Sequence, residues 1–230
     1  MQHWISQLDF SFLWNTLLMA VSSLLCITVH ETCHGLAAYW LGDDTAKRAG
    51  RLSLNPLRHL DPVGLIAMVL VHFGWAKPVP INPGKFRHLR RDTALTALAG
   101  PVSNVLLAWV ALCLRSLVIG LTVYGKNFAV LYYFLSFLEY TAILSAGLAV
   151  FNIFPVPPLD GSKVLFSFLP EQAYRWILRY ERYGFLLMFV LIWAGVLDAP
   201  LIFLRTQLLN LLSAVSSWPY SLVVHLCRIL

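Results

Sequence analysis

Of the chain's 230 residues, 59% are hydrophobic and 12% are charged, and the mean hydropathy is +0.71. A soluble domain of this size carries about twice that charged fraction, so the composition excludes an ordinary soluble enzyme and points to a helical protein with several membrane spans. The net charge of +6 falls in short segments between apolar runs, a pattern that orients a membrane protein and gives no indication of nucleic acid as a partner.

No basic region precedes the first apolar run, since the first Lys or Arg is Lys47, so the N-terminus does not read as a cleavable signal. The twenty residues FSFLWNTLLMAVSSLLCITV, Phe10 to Val29, carry no charge. A helix is predicted from about Phe12 to Leu41, closed by Gly42 and the turn GDDT. It is roughly 45 Å long and must tilt or protrude. Counted back from Gly42, His34 lies about 12 Å inside the helix end and His30 about 18 Å inside. The sequence HETCH is therefore expected within the membrane.

RLSLN, Arg51 to Asn55, alternates polar and apolar residues and predicts a short strand, ended by Asn55-Pro56. Val63 to Ala76 is apolar for only fourteen residues and has basic segments on both sides, which predicts a re-entrant segment. KPVPINPGKF is a proline-rich loop. Ala94–Leu114 is a second span, with Gly100 and Pro101 marking close helix approach and a local kink. After a short loop with Gly125 and Lys126, a third span runs through AILSAGLAVFNIF to about Phe154 and ends at PVPPLDG. Tyr183–Leu197 is a fourth. Thr206–Leu230 is either a fifth span or an interfacial amphipathic segment.

With the N-terminus outside, thirteen of the seventeen basic residues fall in cytoplasmic segments; Arg115, Lys126, Arg205 and Arg228 fall outside or are unassigned. The expected fold is an all-α polytopic membrane protein of about 4–6 transmembrane helices, with a small cytoplasmic-side β-strand or hairpin element and the re-entrant segment. It is read as one domain over residues 1–230, with a catalytic core at about 12–170 and C-terminal helices over 171–230.

His30 and His34 are four residues apart, so on a helix they lie about 40° apart in azimuth and about 6 Å apart along the axis. Both imidazoles reach one metal from the same face, and Glu31 between them completes the H-E-x-x-H zinc signature. A lone histidine would read as a packed core residue. Two histidines and a glutamate in a lipid-embedded helix carry a cost that is usually met only for function.

Catalytic zinc commonly takes three protein ligands, and the candidate third is Asp160 in FNIFPVPPLDGSKV. Pro155, Pro157 and Pro158 break the helix before it, and broken backbone at membrane depth is tolerated only where protein buries it or a cavity is lined. The fifteen residues from Glu139 to Ile153 span about 22 Å, enough to run from the outer interface to the depth of the histidines. Taken alone, PPLDG reads as an ordinary surface turn.

The four cysteines show no paired spacing and predict no disulfide; Cys33, near His30, is expected to be a buried thiol. His59 and Asp61 are expected to fix their loop through hydrogen bonds rather than to form a second metal site. His72 is given a packing role, and Glu139 is placed at the outer interface without a function.

HETCH, NPLRHLDPVG, GWAKPVPINP, AGPVSN and FNIFPVPPLDG occur in this order over about residues 25–170. Together they resemble the site-2 proteases, the intramembrane zinc metalloproteases of peptidase family M50, in their compact prokaryotic branch without a PDZ or CBS domain. The resemblance implies one zinc ion held by His30, His34 and Asp160, with Glu31 as catalytic base. It implies that Asn152 helps to polarise the substrate carbonyl. The implied partners are a transmembrane protein substrate and the lipid bilayer, in a multi-pass protein of the cell membrane; the basic loops and the re-entrant segment predict a site open to the cytoplasmic side. An extended substrate is expected to pair with the edge near RLSLN. The oligomeric state is not indicated. The competing reading is a metal or ion transporter using the same His/Glu/Asp cluster; it calls for inverted repeats, which the two halves do not display.

Overall fold

The computed structural model describes residues 10–61, 64, 76–122, 129–170 and 183–229. Eight helices occur among them: α1 (Phe10–Trp40), α2 (Thr45–Arg48), α3 (Leu89–Thr122), α4 (Ala129–Ile153), α5 (Asp160–Ser167), α6 (Gly184–Trp193), α7 (Asp198–Val215) and α8 (Trp218–Ile229). Short 3-10 turns lie at Pro56–Arg58 and Pro83–Lys85. Among the described residues, four segments are long and apolar enough to cross a membrane: Ser11–Trp40, Leu89–Thr122, Leu131–Ile153 and Asp198–His225.

α1 forms where the uninterrupted apolar run requires it, since a backbone in lipid must satisfy its own hydrogen bonds. It stops at Gly42, whose φ of 109° is open to glycine, and the Asp43 amide returns to the Ala38 carbonyl at 2.8 Å. α3 is longer than predicted at both ends. Its charged first turn falls outside an apolar window, yet Asp92 accepts there from the His88 amide at 2.8 Å. α4 starts ten residues before Glu139, and Glu139 pairs with Arg115 of α3 at 3.1 Å.

Three expectations change. RLSLN forms no strand, because its backbone groups are used elsewhere. The Ser53 carbonyl accepts from Thr32 Oγ1 at 3.0 Å and from His59 Nε2 at 2.8 Å, and the Ser53 amide turns back to the Arg51 carbonyl at 3.0 Å. No strand or hairpin partner occurs among the described residues, so RLSLN itself offers no sheet edge for an extended substrate to join. The predicted fourth span contracts to the ten residues of α6, well short of the roughly twenty needed to cross, and ends before Gly195 at φ 68°. The ambiguous tail is helical, α7 and α8 together supplying the Asp198–His225 segment. The predicted re-entrant segment Val63–Ala76, with His72, lies outside the described residues except for Gly64 and Ala76.

The centre of the bundle is α1, α3 and α4, packed through small residues. Ala108 and Ala146 meet beneath Leu212 of α7, and Ala111 and Ala142 meet beside Leu138. Small side chains let helix backbones approach closely where lipid offers no competing hydrophobic drive. Hydroxyls join the same helices: Thr141 Oγ1 donates to Ser22 Oγ at 3.2 Å, and Ser145 Oγ to the Asn104 carbonyl at 2.9 Å.

The proline-rich loop is clasped to the end of α1. Buried Asp43 accepts from the Asn82 amide at 2.6 Å, from the Thr45 amide at 3.0 Å and from the Thr45 hydroxyl, and Lys85 reaches Asp44 at 2.7 Å. At the loop's other end, Arg51 donates to the Lys77 carbonyl at 2.7 Å and the Lys77 amide to the His59 carbonyl at 2.9 Å. His59 thus fixes this region through hydrogen bonds, as expected.

Burial pushes the Asp43 carboxyl up; the Thr45 hydroxyl, the Asn82 and Thr45 amides and the Lys85 charge outweigh it and hold the group below the ordinary carboxylate range. Its folded value being lower than its unfolded value, the clasp contributes fully above the unfolded value of about 3.9 and is lost as pH falls through the folded value. Asp43→Asn is expected to cost roughly 2 kcal/mol, the worth of a hydrogen bond to a charged group. Thermal unfolding in detergent checks this: the midpoint falls at neutral pH, and the difference from wild type narrows as pH drops below the carboxylate range.

Candidate metal and catalytic site

His30 and His34 sit one turn apart on α1, both buried. His34 Nδ1 lies 2.7 Å from the Thr96 carbonyl of α3. A carbonyl only accepts, so this nitrogen carries the proton and His34 Nε2 presents a lone pair. That lone pair lies 2.9 Å from His30 Nε2 and 3.0 Å from Asp160 Oδ2, and His30 Nε2 lies 3.2 Å from the same oxygen.

Two glycines make this convergence possible. At Gly100 of α3, a Cβ would lie 2.4 Å from His34 Nε2 and 2.6 Å from His30 Cε1, so only a glycine lets α3 form the wall behind both rings. At Gly161 a Cβ would lie 2.0 Å from the Ile153 carbonyl oxygen, so only a glycine lets α5 begin against the end of α4 and place Asp160 beside α1. The neighbouring Pro101 donates no amide to the α3 ladder, and Ser103 Oγ donates to the Gly100 carbonyl at 2.7 Å.

The donor set fits a metal. Ligand atoms about 2.1 Å from a tetrahedral zinc stand roughly 3.4 Å from one another, so the three atoms here need to spread by only a few tenths of an ångström to hold one. One carboxylate oxygen and two imidazole nitrogens cannot all be satisfied by a single shared proton, whereas a cation satisfies all three. The His30, His34 and Asp160 ligand atoms form the group able to hold a metal ion among the described residues, and two imidazoles with a carboxylate suit zinc.

The three face a cavity of about 600 Å³ that Glu31, Asn152 and Lys163 also line, with apolar walls from Val79, Ile81, Phe86 and Phe166. Glu31 Oε2 accepts from the Val79 amide at 2.8 Å. Asn152 Nδ2 donates to the Leu148 carbonyl at 3.0 Å. All five residues singled out from the sequence thus share one cavity. Cys33 is a half-buried free thiol outside the ligand group, and Cys26 and Cys113 are also free. Sequence reasoning missed the Val79 amide, the Thr96 carbonyl and Lys163. The first two are backbone groups with no side-chain signal; Lys163 carried one, standing three residues after Asp160 on a short helix.

The model of Peptidase family M50 matches residues 114–195, a stretch that includes Asn152 and Asp160. The protein named "Putative zinc metalloprotease YwhC" of Bacillus subtilis (strain 168) is 37% identical over 175 residues, 75% of this chain and 78% of YwhC. The chain belongs to peptidase family M50. Two proteins named Rip2, under the same description, are each 29% identical: that of Mycolicibacterium smegmatis over 194 residues and that of Mycobacterium tuberculosis (strain H37Rv) over 184. In both cases the match takes in 76% of this chain and 66% of the relative. No solved structure matches the chain. Membership of M50 makes the protein a metalloprotease and leaves the transporter reading without support.

Gly100→Ala is expected to drive the two imidazoles apart and to lower bound zinc at least tenfold, as judged from the contacts at the added Cβ. Metal analysis of the purified variant, with circular dichroism to confirm retained helix, checks this; wild-type zinc content would show that α3 can move aside.

Proposed function

We propose that the protein is a zinc-dependent intramembrane endopeptidase that cuts transmembrane segments of other membrane proteins. The observation that carries this reading is that Glu31, the His30–His34–Asp160 group and Asn152 line one cavity among helices long and apolar enough to cross a membrane.

His30, His34 and Asp160 are the proposed zinc ligands, with the Thr96 carbonyl holding His34 in the required tautomer. Zinc, when bound there, supplies the Lewis acidity that makes water a nucleophile near neutral pH. Glu31 takes the proton from the attacking water and returns it to the departing amine. The Val79 amide holds one Glu31 oxygen and leaves the other for that transfer. Asn152 is aligned to turn its amide from the Leu148 carbonyl towards the substrate carbonyl, where negative charge develops. A helical peptide bond is shielded by its own turn, so the substrate must unwind locally before it enters.

The basic segments around the loop that covers Glu31 support a cytoplasmic opening, by the bias of Lys and Arg to that side. The proposed setting is a multi-pass protein of the cell membrane, with residues 12–170 as the catalytic core and the helices beyond as its support.

Glu31→Gln is expected to keep zinc and to lower cleavage of transmembrane peptides by about 10²–10⁴-fold, while His30→Ala loses both zinc and cleavage. The assay uses purified protein, metal analysis and a panel of transmembrane peptides. Zinc-loaded wild type that cuts none of the panel would sink the substrate class, and equal cutting by Glu31→Gln would refute the base.

A further inference from the structure

Asp160 offers two oxygens and uses only one towards the histidines. The second, Oδ1, has the ammonium of Lys163 at 3.7 Å. Lys163 lines the same cavity as Glu31, and among the described residues that line it there is no other Lys or Arg. Its side chain keeps 39% of its exposure, and Nζ makes this ion pair but no hydrogen bond among the described residues.

The position is costly for packing alone. Lys163 stands near the N-terminus of α5, the positive end of the helix dipole, where a carboxylate rather than an ammonium is favoured. A cation amid apolar cavity walls is retained where it faces water or a charge. One negative charge is already near it, on Asp160, and that charge is shared with the two imidazoles. The ammonium keeps three donors for a further anionic atom in the cavity.

Peptide hydrolysis creates such an atom. When water adds to the scissile carbonyl, the carbon–oxygen π pair moves onto the carbonyl oxygen, which becomes an oxyanion until the amine departs. We propose that Lys163 is a further catalytic residue of this enzyme, its Nζ donating to that oxygen as the charge develops. The proposal rests on the protease reading above and assigns the charge-stabilising role chiefly to Lys163, with Asn152 as the neutral donor beside it. The ion pair with Asp160 is then the resting position of the ammonium, close enough to reach a carbonyl oxygen by side-chain rotation.

The experiment compares wild type, Lys163→Met and Lys163→Arg, each zinc-loaded in detergent. The probe is a transmembrane peptide in which an anionic tetrahedral phosphonate replaces the scissile amide; the intact peptide, bound in the Glu31→Gln background, is the ground-state control. Lys163→Met is expected to keep its zinc and its affinity for the intact peptide, and to lose about 100-fold in phosphonate affinity and in kcat. Lys163→Arg is expected to recover most of both. Unchanged phosphonate affinity in Lys163→Met overturns the assignment, as does failure of wild type to bind the phosphonate. A loss of zinc that lowers both affinities equally also overturns it, since Lys163 would then merely hold Asp160. If wild type binds the phosphonate but cuts no peptide, the protease reading fails, while the phosphonate comparison still decides what Lys163 does.

Discussion

Three electron-rich atoms meet at one buried point: two imidazole nitrogens and a carboxylate oxygen, all within 2.9–3.2 Å of one another. Without a cation this arrangement is costly, because buried acceptors without enough donors lose their hydration and gain nothing in return. The helices around them serve to bring these atoms together. α1 supplies the histidine pair by its periodicity, α3 passes behind them, and α5 is aimed at them by the broken end of α4.

Close approach of backbones achieves this. Alanines seat α3 against α4, Gly100 lets α3 touch the imidazoles, and Gly161 lets α5 begin against the last turn of α4. The prolines of PVPPLDG stop α4 short, so the chain turns within the protein and Asp160 ends up beside α1 rather than beyond it. Helix packing in lipid depends on shape more than on hydrophobic drive, and the site exploits the same small residues that hold the bundle together.

Much of this was legible in the sequence because it obeys local periodicity. The four-residue spacing of His30 and His34, the uncharged run before them and the proline-glycine punctuation around Asp160 each have a direct geometric meaning. The strand predicted at RLSLN failed for a non-local reason. Alternation describes a segment able to join a sheet, but Thr32 and His59 claimed the Ser53 carbonyl instead. The short α6 was overestimated because apolar composition continues past Gly195, where the helix does not. Lys163 was passed over because a single basic residue on a short helix reads as surface until the cavity is seen.

The loop that supplies the Val79 amide is held at its far end by Asp43, which follows the end of α1 twelve residues after Glu31. Two acids, one on α1 and one in the turn just after it, thus grip the same strip of chain at separate points. Loosening one grip is felt at the other, so the stiffness of the loop sets how firmly the Glu31 carboxylate is held. Lifting the strip at Val79 therefore also releases an oxygen of Glu31, so the position of the loop and the freedom of that carboxylate are coupled.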